Sequence, residues 1–389
     1  MPADSVAIPP PTSRLLSLDA FRGATILGMI LVNNPGTWSA LYPPLAHAEW
    51  LGWTPTDLVF PFFLFIMGTA VAYAMRKYRR SGEVEPGVYW RIVRRTLTLI
   101  ALGLAMGLFG RLCDIVFKHA DGLHLDTLRW PGVLQRIGLV YCATSLVVLH
   151  LDVRKQLALA AALLLGYWAL LVWLPRDVAP AERLSPTGNI TRVVDLAVIG
   201  KDHMYTRAES EPTEPEGLLS TLPAIVTGLA GYWAGLAIQR GGVNWRTVRW
   251  LAAVGLAVAA AGLAWGLWFP ISKKLWTSSF VLLTAGLASV CLAACLAVFD
   301  VAGKRRWARP LEIVGVNAIF AYVGSGLLAR LLGSIPVGEG TLHAAIFRTL
   351  FLNPIGDAKL ASSACAVATV AFWWLVLAGM ARRGWAFRI

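Results

Sequence analysis

The sequence predicts an all-α fold: a polytopic membrane helix bundle of about ten transmembrane helices, with both termini cytoplasmic. Three observations carry this. Of the 389 residues, 57% are hydrophobic and only 15% are charged, where a soluble domain carries roughly 25% charged residues. The mean hydropathy is +0.61. Ten stretches reach the roughly 20 mostly apolar residues that a helix needs to cross a bilayer: 15–36, 55–75, 91–110, 132–150, 156–174, 217–239, 247–268, 274–299, 311–332 and 360–381. No segment shows the two-residue alternation of a membrane strand, so a barrel does not compete. The 17 Trp suit membrane interfaces.

Residues 1–13 are Pro-rich and read as a disordered tail; 14–389 read as one transmembrane domain. The first span is too long and too charged for a secretory signal. It carries Asp19 and Arg22, three apart and on one helix face. They either line an inner vestibule or sit at the interface. Asn33 and Asn34 close its outer end, where buried amides need partners. Loop 37–54 then holds His47 and Glu49. Thr54-Pro55-Thr56-Asp57 is a helix start, with Thr as N-cap, Pro at the first position and an acid at the third.

Loop 111–131 gathers Asp114, His119, Asp121, His124 and Asp126, but their spacing matches no ligand motif, and no metal is expected. Gln135 and Arg136 lie four residues into the fourth span, where an arginine is costly unless it pairs or meets water. Loop 175–216 holds Asp202, His203 and Glu216. The apolar stretch 342–352 is too short to cross and reads as re-entrant or interfacial. The five Cys lack CxxC spacing and read as packing residues. No P-loop or dinucleotide-binding glycine pattern appears.

The formal net charge of +13 invites a nucleic-acid reading. Placement answers it. With the N-terminus inside, most of the 35 Lys and Arg fall in cytoplasmic loops while the acids lean outward. The excess is then the positive-inside rule, and no nucleic acid is expected as a partner.

Several blocks carry a family resemblance: "RLLSLDAFRGATILGMILVNNPG", "HAEWLGWTPTDLVFPFFLFIMG", "RWPGVLQRIGLVY", "DHMY", "EPEGLLSTLPAIVTGLAGYWAG", "KKLWTSSFVLLT" and "VGVNAIFAYVG". In order and spacing they resemble the heparan-α-glucosaminide N-acetyltransferase family of transmembrane acetyltransferases, in particular its bacterial NagX-like members. The resemblance runs from about Arg14 to the C-terminus. It departs in the longer stretch "NNPGTWSALYPPLA" before His47, which borders the expected site.

The resemblance implies transfer of an acetyl group from cytosolic acetyl-CoA, as co-substrate, to an amine such as glucosamine on the extracytoplasmic side. By residue, the family's active-site histidine matches His47, its asparagine Asn33, and the acid opening "DLVFP" matches Asp57. CoA carries phosphates and cannot cross about 30 Å of hydrocarbon. Its nucleotide end is expected at the cytoplasmic mouth, with Asp19, Arg22, Gln135 and Arg136 toward its path. The expected location is a bacterial inner (plasma) membrane. Partners are acetyl-CoA, an amino sugar and the lipid bilayer, with a homodimer allowed. The competing reading is an N-acetylglucosamine-type transporter, since charged spans and a polar vestibule also fit transport.

Overall fold

The computed structural model describes residues 15–81, 85–174, 176–205 and 211–387. The expected tail, 1–13, lies outside the described residues. Nine helices are long and apolar enough to span a membrane, and a bent pair makes a tenth. In chain order the helices are α1 (Leu16–Asn33), α2 (Val59–Ala74), α3 (Arg76–Ser81), α4 (Pro86–Lys118), α5 (Val133–His150), α6 (Val153–Trp173), α7 (Ile190–Val198), α8 (Leu218–Gly241), α9 (Trp245–Trp265), α10 (Ser278–Cys295), α11 (Arg305–Val316), α12 (Ala318–Leu332), α13 (Leu342–Phe347), α14 (Asn353–Ile355) and α15 (Ala358–Arg382). This is a multi-pass all-α membrane bundle. Its strand content among the described residues is one two-residue hairpin, Pro336–Val337 with Gly340–Thr341.

Successive spans alternate in direction. Residues 34–58, 119–132, 176–205, 211–217, 266–277 and 333–357 therefore gather at one end, the loop face. The start of α1 and the end of α15 lie at the other, the terminal face. The opening turns are stabilised as sequence chemistry dictates. Asp152, Asn189, Asn244 and Asp357 each accept a backbone N–H at the start of α6, α7, α9 and α15, satisfying donors that a helix leaves free.

Two spans depart from their predicted limits. Helix α4 runs 33 residues, well past the 91–110 that hydropathy marks. The charged side chains of its outer extension all find partners: Asp114 binds Lys118 at 2.9 Å and Arg330 of α12, and Arg111 donates to the Thr127 carbonyl at 2.8 Å. The tenth span is also not one rod. Helices α11 and α12 bend by 64° at Asn317, whose amide accepts from Phe387 N at 2.9 Å and donates to the Trp385 carbonyl at 3.3 Å. A buried side chain tied to the C-terminal segment replaces helix continuity there.

The packing that places the site is between α2 and α8. In lipid, small residues let helix backbones approach closely. A Cβ on Gly68 would fall 1.8 Å from the Gly228 carbonyl oxygen, and one on Gly231 would fall 1.9 Å from that of Phe65. Thr69 Oγ1 donates across the contact to the Gly231 carbonyl at 3.0 Å. Both helices begin at the loop face, so this contact sets the turn before α2, with Asp57, beside the turn before α8, with Glu216.

Candidate functional site

The site is built on the turn that opens α2. Asp57 Oδ2 accepts from Thr54 N at 3.0 Å and from Ala48 N at 3.1 Å, and Thr54 and Asp57 cap one another's backbone. The acid is 1% exposed. Its other oxygen, Oδ1, lies 2.7 Å from His47 Nδ1. An ionised carboxylate only accepts, so the Nδ1 proton points at Asp57 and Nε2 keeps its lone pair. Local capping chemistry thus becomes an orienting device for the histidine ten residues earlier.

The loop between α9 and α10 supplies a third group. Lys273 Nζ lies 3.4 Å from Asp57 Oδ1 and 3.2 Å from His47 Nδ1. Two hydrogen bonds hold this loop against the first one: Gly52 N donates to the Ile271 carbonyl at 2.6 Å, and the Ser272 hydroxyl to the Trp50 carbonyl at 2.7 Å. The following turn places buried Trp276 at φ +51°, a conformation bulky residues avoid. Burial pushes the Lys273 ammonium below the ordinary lysine range, while Asp57 and Glu216 oppose the shift.

Glu216 belongs to an acidic pair gripped by Arg129. Arg129 Nε donates to Glu214 Oε2 at 2.9 Å, and Nη2 reaches Glu214 and, at 2.6 Å, Glu216. Burial opposes ionisation of Glu216, but the charges of Arg129 and Arg136 outweigh it and hold the carboxyl below its usual range. Burial likewise disfavours the Arg129 cation, and the two glutamates more than reverse this. Behind them Arg136, 1% exposed, donates to the Gly217 carbonyl at 3.0 Å and to Ser220. Its guanidinium sits 5.1 Å from the Trp276 ring centroid.

The residues singled out from sequence fall in three places. His47 and Asp57 meet. Asn33 is the last residue of α1 and is exposed; among the described residues no hydrogen bond joins it to His47. Its neighbour Asn34 is buried and donates to the Ile30 carbonyl at 2.8 Å. Gln135 and Arg136 lie toward the loop face, where Gln135 donates to the Trp130 carbonyl at 3.1 Å. Asp19 and Arg22 pair at 3.0 Å near the terminal face. The sequence reading missed Lys273 and Arg129. Two lysines in an outward loop, against the positive-inside bias, were the available signal for the first. Among the described residues no group of three or more His, Cys, Asp or Glu is arranged to hold a metal.

A cavity of about 320 Å³ lies inside the bundle among α1, α2, α4, α5 and the α11–α12 pair. Arg22, Arg95 and Phe387 line it toward the terminal face, and Val133 and Tyr322 farther in.

The chain is similar to known proteins over most of its length. Residues 14–172 match the family model described as "Domain of unknown function (DUF5009)". Heparan-alpha-glucosaminide N-acetyltransferase of Homo sapiens is 30% identical over 367 residues, covering 82% of this chain and 53% of that protein. The Mus musculus protein of the same name is 28% identical over 365 residues, covering 81% of this chain and 54% of its own. The chain spans about half the length of these curated relatives. By sequence, this protein is a relative of the heparan-α-glucosaminide N-acetyltransferases, matched across most of its own length.

Proposed function

We propose that the protein is a transmembrane N-acetyltransferase of a bacterial inner membrane. It takes acetyl from acetyl-CoA at the terminal, cytoplasmic face and delivers it to the amine of an amino sugar at the loop face. The observation that carries this reading is the His47–Asp57–Lys273 cluster, set at the opposite end of the bundle from an arginine-lined internal cavity. A site of this form serves two substrates that cannot share a compartment.

His47 Nε2 is the reacting atom. In direct transfer it takes the proton as the amine nitrogen attacks the thioester carbonyl. The C–S bond then breaks, and the proton passes to the departing CoA sulfur. In a two-step route Nε2 attacks the thioester carbonyl, the C–S bond breaks and CoA leaves as its thiolate; the amine nitrogen then attacks the acyl carbon, the bond to Nε2 breaks, and the proton the amine loses balances the thiolate. Both routes need the tautomer that Asp57 selects. Asn33, at the end of α1, is assigned the amide that donates to the carbonyl oxygen as charge builds there, a role worth about 3 kcal/mol.

The test is vectorial. Purified protein in sealed proteoliposomes, with labelled acetyl-CoA on one side and glucosamine on the other, should yield labelled N-acetylglucosamine on the amine side. Uptake of the free sugar with no acetyl transfer would overturn the reading and favour transport.

A further inference from the structure

A second space opens on the outside of the bundle at the terminal face, between α11, α15 and the C-terminal segment. It is a groove of about 590 Å³. The guanidinium groups of Arg306, Arg309 and Arg382 border it, against one carboxylate, Glu312. All three arginines are exposed, and among the described residues none of them pairs with a carboxylate. The walls are tied together. Trp374 Nε1 of α15 donates to the Pro310 carbonyl of α11 at 3.0 Å, and Asn317 at the bend holds the backbone of Trp385 and Phe387.

Charge and apolarity are layered along this groove. The arginines stand at its terminal end. Ile313, Trp374 and Ala378 line it one or two helical turns farther into the bilayer. The flank of α15 beside those turns presents Phe372 and Leu375, both exposed, as a surface covered by lipid does. At the water-side edge Trp307 and Trp385 are exposed too. Each carries a cation over its ring, Lys304 at 4.8 Å and Arg383 at 5.5 Å from the centroid. Tryptophans beside basic residues at the ends of spans mark the headgroup level.

We propose that this groove binds one anionic phospholipid of the leaflet at the terminal face. Arg306, Arg309 and Arg382 hold the phosphodiester, and an acyl chain lies along Ile313, Trp374 and Ala378. Arginine suits the headgroup because its planar fork meets phosphate oxygens in pairs. Basic pockets between spans on the cytoplasmic side select anionic headgroups for this reason. A soluble phosphate compound matches the arginines and leaves the apolar turns bare. A zwitterionic lipid brings an ammonium toward three cations, which Glu312 alone does not offset. The bound lipid bridges α11 and α15, and so braces the bend at Asn317. The proposal needs the multi-pass arrangement and is independent of acetyl transfer.

The experiment measures lipid retention by native mass spectrometry on the full chain, with phosphatidylglycerol and phosphatidylethanolamine supplied in equal amounts. The wild type should keep one phosphatidylglycerol in preference, and that lipid should raise the melting temperature by linkage. Replacing Arg306, Arg309 and Arg382 together by Gln should cut the preference about tenfold or more. A charge-matched control replaces Arg240, Arg246 and Arg249 by Gln, on the same face but outside the groove lining, and should keep it. Ala381→Trp keeps every arginine but fills the groove from its open side, and should lose the lipid. Melting in phosphatidylcholine micelles reports that each variant is folded. Equal loss in both arginine triples, or full retention in Ala381→Trp, would reduce the effect to surface charge and overturn the site. Equal retention of phosphatidylethanolamine would overturn the anionic choice. Displacement of the lipid by CoA or inorganic phosphate would assign the groove to a soluble phosphate ligand instead.

Discussion

Lys273 Nζ stands 3.2 Å from His47 Nδ1, on the same side of the ring as Asp57 Oδ1 at 2.7 Å. The three groups cannot all share one proton position. With Nδ1–H directed at Asp57, the ammonium of Lys273 donates to the carboxylate rather than to the ring. Asp57 is then a buried anion served by a lysine, an imidazole N–H and two backbone amides. An anion so completely solvated by the protein is a rigid anchor for the histidine, because rotating the ring would leave a buried acceptor underused.

Removing His47 tests the reacting atom. His47→Ala should abolish acetyl transfer to glucosamine while leaving acetyl-CoA affinity nearly unchanged, because the cavity residues that meet the donor are distant in the fold. Cofactor binding is read by thermal shift, which rises with ligand by linkage. Wild-type turnover in a folded His47→Ala protein would take His47 out of the mechanism.

Asp57→Asn separates orientation from capping. An amide still caps a helix, and its oxygen can accept from Ala48 and Thr54. It can no longer oblige His47 to carry its proton on Nδ1, because the amide NH2 can face the ring. Turnover should fall by about 10²-fold or more with only a small change in melting temperature. Equal loss of turnover and of folded protein would make Asp57 a structural cap and nothing else.

Lys273→Met should lower kcat by about 10- to 100-fold, the scale of a lost hydrogen bond to a charged group, with the KM for acetyl-CoA little affected. Lys273→Arg should recover part of the loss. The neighbouring Lys274→Met, which removes a charge from the same loop, serves as the control. If both lysine variants behave alike, the effect is one of general charge at the loop face.

The contrast between these residues shows what the sequence could reveal. Hydropathy is local, so the spans were legible. The Thr54-to-Asp57 cap was legible too, because its donors and acceptors lie within four residues. Lys273 was not: it is 226 residues from His47 in the chain, and nothing local separates it from Lys274. The stitching of Ile271 and Ser272 to Gly52 and Trp50 selects it. The bend at Asn317 escaped for the same reason, since its partners, Trp385 and Phe387, are about 70 residues downstream. Family resemblance supplied Asn33 and His47, while the electrostatic partners of Glu216 required the fold.

The α2–α8 contact is predicted to be intolerant of side chains. Gly231→Val would drive a branched group into the Phe65 backbone, 1.9 Å from its carbonyl oxygen at the first carbon. Overpacking of this kind costs about 3 kcal/mol when the backbone must shift. The expected result is a lower melting temperature and lost transfer activity, since Asp57 and Glu216 sit at the ends of these helices. Gly52→Ala provides a comparison at a glycine with φ +92° and open space, where strain rather than collision is the cost. A Gly231→Val protein as stable as the wild type would show that the helices do not approach as described.

Asp195 gives a pH signature for the loop face. It lies on α7, fully buried, and accepts from Leu218 N at 2.9 Å at the start of α8. Burial pushes its carboxyl up to about 6 from an ordinary value of 3.8. Between those two values the folded protein keeps a proton that the unfolded chain releases, so raising the pH through this window favours unfolding. The stabilisation is complete below about pH 3.8 and is lost by about pH 6. Asp195→Asn removes the ionisable group yet keeps an oxygen for Leu218 N. The variant should therefore match the wild type near pH 4 and exceed it above pH 6, by at most about 3 kcal/mol. Melting curves in detergent at both pH values measure the difference directly. A variant less stable than the wild type at pH 7.5 would mean that the fold stabilises the Asp195 carboxylate, through the buried Arg136 cation, more than burial disfavours it, reversing the sign of its contribution.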